Sequence, residues 1–565
     1  TRCSRDWSSD VCSSDLEGQE VLGIRLNWHK RYITLGPVAT LLGLAFKARD
    51  PDHLIGNQDE LGITVALIPT DLPGVTIGHR HLPAMQVFQN GPNWGKDVFI
   101  PMDYVIGGQA RIGQGWKMLM SALAAGRGIS LPSQSASGAA YCARSAGAYA
   151  RVREQFKVPI GKFEGIEEPL ARIAGTAYQL DAARRLTCAA LNQGKHPAVI
   201  SGIMKLHATE RLRIVVDDAM DIHGGKAIID GPQNYMGNLY RSVPVAITVE
   251  GANILTRNLI VFGQGATRAH PYLLQEINAI GNPDKQAGLE AFDQSFWKHV
   301  GHAFTNLFRA WGRSWSGGLF APAPDAGIVT GYYRQLSRYS SAFALCADMA
   351  LLTLGGALKR KEMLSARFGD ILSELYLLSA ALKRWEDEGQ QDADLPALRW
   401  VMANGIRTMD QRFAEVLANL PNRPVAWLLK FVVQPLGAKA LGPSDKVVHQ
   451  CAQMILSPSP ERDRLTAGLY HAGANDDGPL SRLERAFRLV VANEPIEKKM
   501  RAAHIRDWQE AASRGIITAA DVEAIKTAQE AVAKVIEVDD FAPEALSPIY
   551  RQNHPATATA ERAAS

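Results

Sequence analysis

The segment Ile247–Arg257, ITVEGANILTR, sets a single carboxylate, Glu250, directly before a glycine and directly after the apolar run Val243-Pro244-Val245-Ala246-Ile247-Thr248-Val249. An ionised Glu buried without a partner is costly. Two readings follow. Glu250 caps or flanks the helix that begins after it, or it is a base whose pKa an apolar pocket has raised. The segment alone favours the first. Other residues capable of chemistry are sparse. His79 and His81, in GHRH, read as hairpin surface histidines, and no acidic residue stands at ligand spacing, so no metal site is expected. The six cysteines, Cys3, Cys12, Cys142, Cys188, Cys346 and Cys451, form no CxxC pair. Their wide spacing argues against a disulfide framework or a zinc site and fits a reducing compartment.

The elements that must position Glu250 are legible as blocks. At 565 residues the chain exceeds one ordinary core, so roughly two to four domains are expected. Hydrophobic content of 46% and charged content of 21% are those of a soluble globular protein. A net charge of +4 is too weak to indicate a nucleic-acid surface. Residues 1–16, TRCSRDWSSDVCSSDL, have no Met, no apolar signal core and a repeated Ser-Asp pattern, and are expected to be a non-native, disordered leader. Residues 17–110 carry short β-branched runs ended by Gly or Pro, such as GITVALIP at 62–69, and read as β. From 111 to 265 the pattern is helical, with helices expected over 113–127, 132–156, 166–193, 198–223 and 240–262. Leu170, Ile173, Ala177 and Leu180 form one stripe there. Long helices with short connections suggest an antiparallel bundle.

A Gly- and Pro-rich stretch at 263–283 precedes a second helical region, 285–555. Leu289, Phe292, Phe296, Val300, Phe304 and Trp311 mark the apolar face of its first helix. No uninterrupted apolar run reaches 18 residues. The nearest, 342–358, is broken by Asp348 and Thr353 and reads as a buried helix. PVAWLLKFVVQPL, at 424–436, also reads as a buried helix, with an interfacial membrane helix as the alternative. Residues 556–565 read as a disordered tail.

Several segments, in order, carry a resemblance: LNWHKRYITLG (26–36), GITVALIPTDLPGVTIG (62–78), FIPMDYVIGG (99–108), GQGWKMLMSALAAGR (113–127), ARVREQFKVPIGKFEGI (150–166), DAMDIHGGKA (218–227) and RSVPVAITVEGAN (241–253). Together they resemble an acyl-CoA dehydrogenase over residues 17–265. The region after 285, with KRKEMLSARFGDILSELYLLSAALKRWEDEG, resembles the bacterial long-chain (FadE-type) branch. The resemblance implies an α+β fold: a partial β-barrel middle domain, an antiparallel four-helix bundle and an extra all-α C-terminal domain. It implies FAD as cofactor and α,β-dehydrogenation of medium- or long-chain acyl-CoA to trans-2-enoyl-CoA in fatty acid β-oxidation. An electron-transferring flavoprotein is the implied acceptor, and a homodimer or higher the implied assembly. No nucleic-acid partner is implied. The location would be cytoplasmic (bacterial), with peripheral contact at the inner membrane through the C-terminal domain as a further expectation. An acyl-CoA oxidase, or a non-catalytic acyl-CoA-dehydrogenase-like nucleic-acid-binding protein, are the alternatives.

By the resemblance, Glu250 is the base and Gly251 lets backbone and flavin approach closely. In some relatives the base stands just before the Arg of a GR-type motif; here that position is Gly126, which has no side chain. Arg153, Gln155 and Phe156 match a motif reaching the flavin of a neighbouring subunit. Gly224 and Gly225 match glycines near its adenosine part, and Asp221 stands where a Gln is usual. Tyr32 and Thr34 match the strand packed on the flavin ring, and Arg127 an Arg near the CoA thioester arm. Arg241 reads as a structural ion-pair partner. Ala252 and Glu164 are further departures, replacing a usual Thr and Gln. The recognisable part opens inside the β domain, so the chain is expected to be an N-terminally truncated fragment that alone binds FAD poorly and is inactive.

Overall fold

Alternation builds the sheet. In β2 (Gln19–Thr34) Ile24, Leu26 and Trp28 are buried, and in β6 (Asn90–Pro101) Val98 and Ile100 are buried, so every second side chain faces one core. These two strands pair antiparallel from Gly23↔Pro101 to Thr34↔Asn90. The computed structural model that supplies these coordinates describes residues 9–16, 18–195, 197–470, 476–542 and 545. With β1 (Ser9–Leu16), β3 (Leu41–Arg49), β4 (Glu60–Pro69) and β5 (Val75–Ile77) the sheet has six strands in the order β4-β3-β1-β2-β6-β5. It has two edges, β4 and β5, and no pairing among the described residues closes it into a barrel. The Trp28 ring lies over Gly95, where a Cβ would come within 1.9 Å of it, and its Nε1 donates to Asn93 Oδ1 at 2.8 Å. Only glycine leaves room for that ring.

Residues 9–16 correct the expectation of a disordered leader. Ser9–Leu16 pairs with β2 from Ser9↔Leu26 to Leu16↔Gln19, and Val11 and Cys12 are buried. Strand pairing is a property of the backbone, so a low-complexity Ser-Asp sequence with one apolar residue facing the core can occupy the interior of a sheet. Residues 1–8 and the expected tail at 556–565 lie outside the described residues.

The chain divides into two compact units. The first runs through residue 131 and adds 187–205 and 241–253; it holds the sheet, helix α1 (Gly115–Gly128) and the turn that bears Glu250. Helix α1 packs on β4, with Gly115 against the Ile63 carbonyl and Val65. The second unit comprises 132–186, 206–240 and 254–565. Its bundle helices derive from α2 (Ser130–Val152), α3 (Glu164–Asn192) and α4 (Ala198–His223). Leu170, Ile173, Ala177 and Leu180 are all buried, as their spacing predicts, and Arg172 forks onto Asp218 at 2.7 and 3.0 Å.

The rest of the second unit is helical, including Lys285–Trp315, Thr330–Leu354, Glu362–Asp387, Leu395–Asn419 and Arg423–Val433. The stretch 327–360 is long and apolar enough to cross a membrane by length and composition. Leu336, Tyr339, Ala342, Leu345 and Cys346 of Thr330–Leu354 are buried in the unit, as is Asp348. The Lys285–Trp315 helix departs from expectation: it buries Gly288, Ser295, Asn306, Ala310 and Ser314, while Leu289, Phe296, Phe304 and Trp311 are exposed.

Candidate functional site

The sequence pattern predicts one helix over 240–262. The chain instead breaks it. Helix Gly237–Thr248 ends, Glu250 takes φ +52° and Gly251 φ +98°, and helix resumes at Asn253 before widening into π turns over Thr256–Gln264. A left-handed glutamate costs about 1 kcal/mol or more and persists only where its surroundings hold it. Here two buried cations do so. Lys205 Nζ, on α4, donates to the carbonyls of Ile247 (3.2 Å) and Gly251 (2.8 Å) and to Asn253 Oδ1 (2.6 Å). Arg127 Nε, on α1, donates to the Glu250 carbonyl at 2.7 Å. Unwinding frees carbonyls that a continuous helix would use internally, and the cations take them up.

The Glu250 carboxylate lies against Gly126. A Cβ at Gly126 would meet Oε1 at 2.8 Å and Oε2 at 2.9 Å. The position where some relatives carry a base is therefore a neighbour of this carboxylate, and its lack of a side chain is what makes room for it. Oε2 is buried with no hydrogen-bond partner, and the Glu250 N–H has no acceptor among the described residues. Burial pushes the Glu250 pKa above its ordinary value, while Arg127 and Lys205 pull it down; burial wins. Burial likewise lowers the Arg127 pKa, against the opposing pull of Glu250. The arrangement suits a carboxylate that is reluctant to ionise yet supported once ionised.

A second group forms within the other unit. The sequence suggests helix to 156, but α2 stops at Val152 and a tight hairpin follows: Glu154–Gln155 pairs with Val158–Pro159 across Phe156 and Lys157, both left-handed. Phe156, at its tip, is 89% exposed, which rules out a core role. Arg153, Gln155, Gly224 and Gly225 line one cavity of about 420 Å³ with Tyr149 and His223. The Arg153 guanidinium has no ion pair among the described residues, and space is open beside both glycines. Asp221 is exposed and does not line this cavity.

Three placements bear on what the resemblance implies. Arg127, expected beside a CoA arm, is 5% exposed and committed through Nε to the Glu250 carbonyl, so it supports the turn. Tyr32, at the end of β2, is largely exposed, with its ring 5.9 Å from His81. Thr34 is exposed too, and neither side chain hydrogen-bonds to the Glu250 turn. Other residues escaped sequence reasoning. Lys205 is fully buried; its only sequence signal is a Lys inside the apolar stretch ISGIMKL. His223 stacks on Tyr149 at 4.5 Å, and burial takes its pKa to about 4, so it is neutral near pH 7. Ile536 and Val538 wall the same cavity, where Lys226 Nζ donates to the Glu537 carbonyl at 2.5 Å. No local pattern connects that segment to one some 310 residues earlier.

His270, His299 and Asp348 also converge, with ligand-type atoms within 4.8 Å of one another. His270 Nδ1 accepts from the Tyr272 and Leu273 N–H groups, so its proton sits on Nε2, which donates to Asp348 Oδ1 at 2.9 Å. That nitrogen offers a hydrogen bond rather than a lone pair to a cation.

Comparison with known proteins bears on both groups. Residues 113–263 match the model for the acyl-CoA dehydrogenase C-terminal domain, and residues 267–541 that for the bacterial-type acyl-CoA dehydrogenase C-terminal region. The probable acyl-CoA dehydrogenase FadE10 of Mycobacterium tuberculosis is 26% identical over 394 residues, 67% of this chain and 56% of that protein. A 104-residue stretch, 18% of this chain, is 56% identical to 61% of the protein HemX of Proteus mirabilis. The chain thus spans only about 56–61% of the length of these relatives. An acyl-CoA dehydrogenase from Bacillus anthracis, crystallised with FAD, superposes with a TM-score of 0.62 over 80% of this chain and 73% of that one; at 18% identity this is a likeness of fold.

Proposed function

Given that the chain belongs to the acyl-CoA dehydrogenase family, we propose that it carries the base and part of the cofactor site for FAD-dependent α,β-dehydrogenation of a medium- or long-chain acyl-CoA to its trans-2-enoyl-CoA. The observation that carries this reading is the Glu250 carboxylate: held on a strained turn against Gly126, with one oxygen buried and unpartnered and its pKa raised.

An α-proton beside a thioester is weakly acidic, so its acceptor must be basic and desolvated. Glu250, once ionised, accepts that proton on the oxygen that lacks a partner. Arg127 and Lys205 pull the carboxylate's pKa down against burial and hold the turn through its carbonyls. The free Glu250 N–H is a donor for a thioester carbonyl on which negative charge develops. The open cavity by Gly224 and Gly225, with the unpaired Arg153 cation on its wall, fits the phosphates of FAD. When bound, FAD supplies the acceptor for the β-hydrogen. Arg153, Gln155 and the exposed Phe156 reach the FAD of a second subunit, with Gly224 and Gly225 beside its adenosine part. Reoxidation by an electron-transferring flavoprotein completes the proposal.

The test pairs two titrations. FAD fluorescence quenching by wild type and by Arg153→Ala measures the cofactor site. Anaerobic bleaching of bound flavin by palmitoyl-CoA, in wild type and Glu250→Gln, measures the base. Carried within a protein that spans the full length of its relatives, wild type should bleach while Glu250→Gln binds acyl-CoA but bleaches about 10²–10⁴-fold more slowly. A Glu250→Gln protein that keeps most of its rate would end the assignment of Glu250 as base.

A further inference from the structure

Helix Ala519–Ile536, in the second unit, ends at the cavity lined by Arg153, Gly224 and Gly225. Glu537 leaves the helix at φ −57° and ψ 144°. Two anchors then fix the chain on either side of Val538. Lys226 Nζ donates to the Glu537 carbonyl at 2.5 Å, and the Gln233 N–H donates to Asp539 Oδ2 at 2.7 Å. Gly231 gives that carboxylate its seat, since a Cβ there would come within 2.5 Å of it. Held at both neighbours, Val538 has a fixed place on the cavity wall. Val535 is buried, whereas Ile536 and Val538 line the cavity and are 36% and 44% exposed.

The cavity has two kinds of lining. Arg153 and the open backbone of Gly224 and Gly225 suit phosphate. Ile229, Ile536 and Val538 are aliphatic, and Ile229 is exposed too. Three aliphatic side chains open to water around one cavity carry a cost that a flat, apolar ligand group would remove. The charges of the segment agree with this division. Glu537 and Asp540 are exposed and do not line the cavity, and Asp539 is taken up by the Gln233 N–H. Three carboxylates on one short segment would repel a phosphate, so the segment suits the uncharged base of a nucleotide. Lys226 is committed through Nζ to the Glu537 carbonyl, which leaves the phosphates to Arg153.

We propose that Ile536 and Val538, fixed by the anchors at Glu537 and Asp539, form the wall on which the adenine ring of FAD packs in this cavity. This assignment rests on the reading of the cavity as a cofactor site and extends that site to a segment 311 residues beyond Lys226.

Calorimetric titration of the full chain with ADP and, separately, with inorganic pyrophosphate tests it. ADP carries the base and the diphosphate, whereas pyrophosphate carries the charge alone. Wild type should bind ADP more tightly than pyrophosphate, and FAD should displace the ADP. Ile536→Ser with Val538→Ser should weaken ADP about tenfold or more and leave pyrophosphate unchanged, since the two aliphatic groups no longer leave water together with the base. Asp539→Ala keeps both aliphatic side chains, frees the segment and should weaken ADP alone by a smaller factor, so the test stands even if the first pair disturbs folding. Arg153→Ala should weaken both ligands. If the Ser pair binds ADP as wild type does while Arg153→Ala does not, the wall assignment is overturned and the cavity keeps its cofactor reading. If wild type binds neither ADP nor pyrophosphate, the cofactor reading of the cavity fails and takes the wall assignment with it. Displacement of ADP by coenzyme A but not by FAD also overturns the proposal, because the base would then be the substrate's own.

Discussion

At the Glu250 turn a carboxylate is drawn inside, while along Lys285–Trp315 aromatic rings such as Phe304, Phe308 and Trp311 are left outside. Each region inverts the ordinary sorting of side chains, and each has a compensating arrangement nearby. Inside, Lys205 and Arg127 satisfy the freed carbonyls and support the charge. Outside, Gly288, Ser295, Ala310 and Ser314 let the helix seat closely on the unit without its large residues. The contrast teaches that departures from local rules are informative when the surroundings are built to sustain them. The first region is costly to fold and is held by named hydrogen bonds. The second is held by the close seating of its small buried residues.

The comparison can be broken most severely at the carboxylate. Glu250→Gln should cut the rate of acyl-CoA-dependent flavin reduction by about 10²–10⁴-fold. It should leave thermal stability unchanged or raised, because a buried, partly unpartnered acid is replaced by a neutral isostere. A parallel loss of both would show a structural residue instead.

Lys205→Met is next. It strips three acceptors of their donor in a buried setting and should lower stability by at least about 3 kcal/mol, read as a shift in denaturant midpoint. Because Lys205 lowers the Glu250 pKa, its removal should also move the acidic limb of the activity profile upward. The sign follows from the base role. Only ionised Glu250 accepts a proton, its pKa already lies above the ordinary carboxylate value, and activity therefore falls as pH drops through that raised value. For folding the sign is opposite: a raised acid pKa contributes stability below its unfolded value that is lost as pH rises through the folded one.

Gly126→Ala sharpens the geometry. The new Cβ would come within 2.9 Å of both carboxylate oxygens and displace them, so kcat/KM should fall about tenfold to a hundredfold. Stability should hardly change, since alanine favours the helix by about 1 kcal/mol. The smallest expected effect is at the other region. Phe308→Glu should alter stability by no more than about 0.5 kcal/mol in calorimetry. A large loss would mean the ring is held within the fold.

Much of this was legible beforehand. The period-2 alternation in 19–34 and the 3-4-3 stripe at 170–180 report burial directly, because a strand or helix with one covered side must repeat its apolar residues at its own period. The resemblance-bearing motifs placed Glu250, Arg153 and Gly224 as candidates. Arg153, Gln155, Gly224 and Gly225 do share one cavity, and Glu250 lies against Gly126. The break in the helix at 249–252 was not legible, since nothing local forbids Val249-Glu250 from staying helical; the acceptors freed there are taken up by Lys205, 45 positions before Glu250. Residues 9–16 escaped for a related reason: their place between β2 and β3 depends on backbone partners, not on their side chains.

Sequence by itself determined where most strands and helices lie, though not 9–16, 154–159 or the break at 249–252, and which residues carry chemical capacity, because both follow from side-chain type and spacing along a few turns of chain. Tertiary structure decided which capacity is engaged: whether Glu250 is a cap or a buried carboxylate, whether Arg127 faces a ligand or a carbonyl, and which face of Lys285–Trp315 meets solvent. Burial is set by segments distant in the chain, and burial is what raises a pKa, commits a cation or leaves a ring exposed.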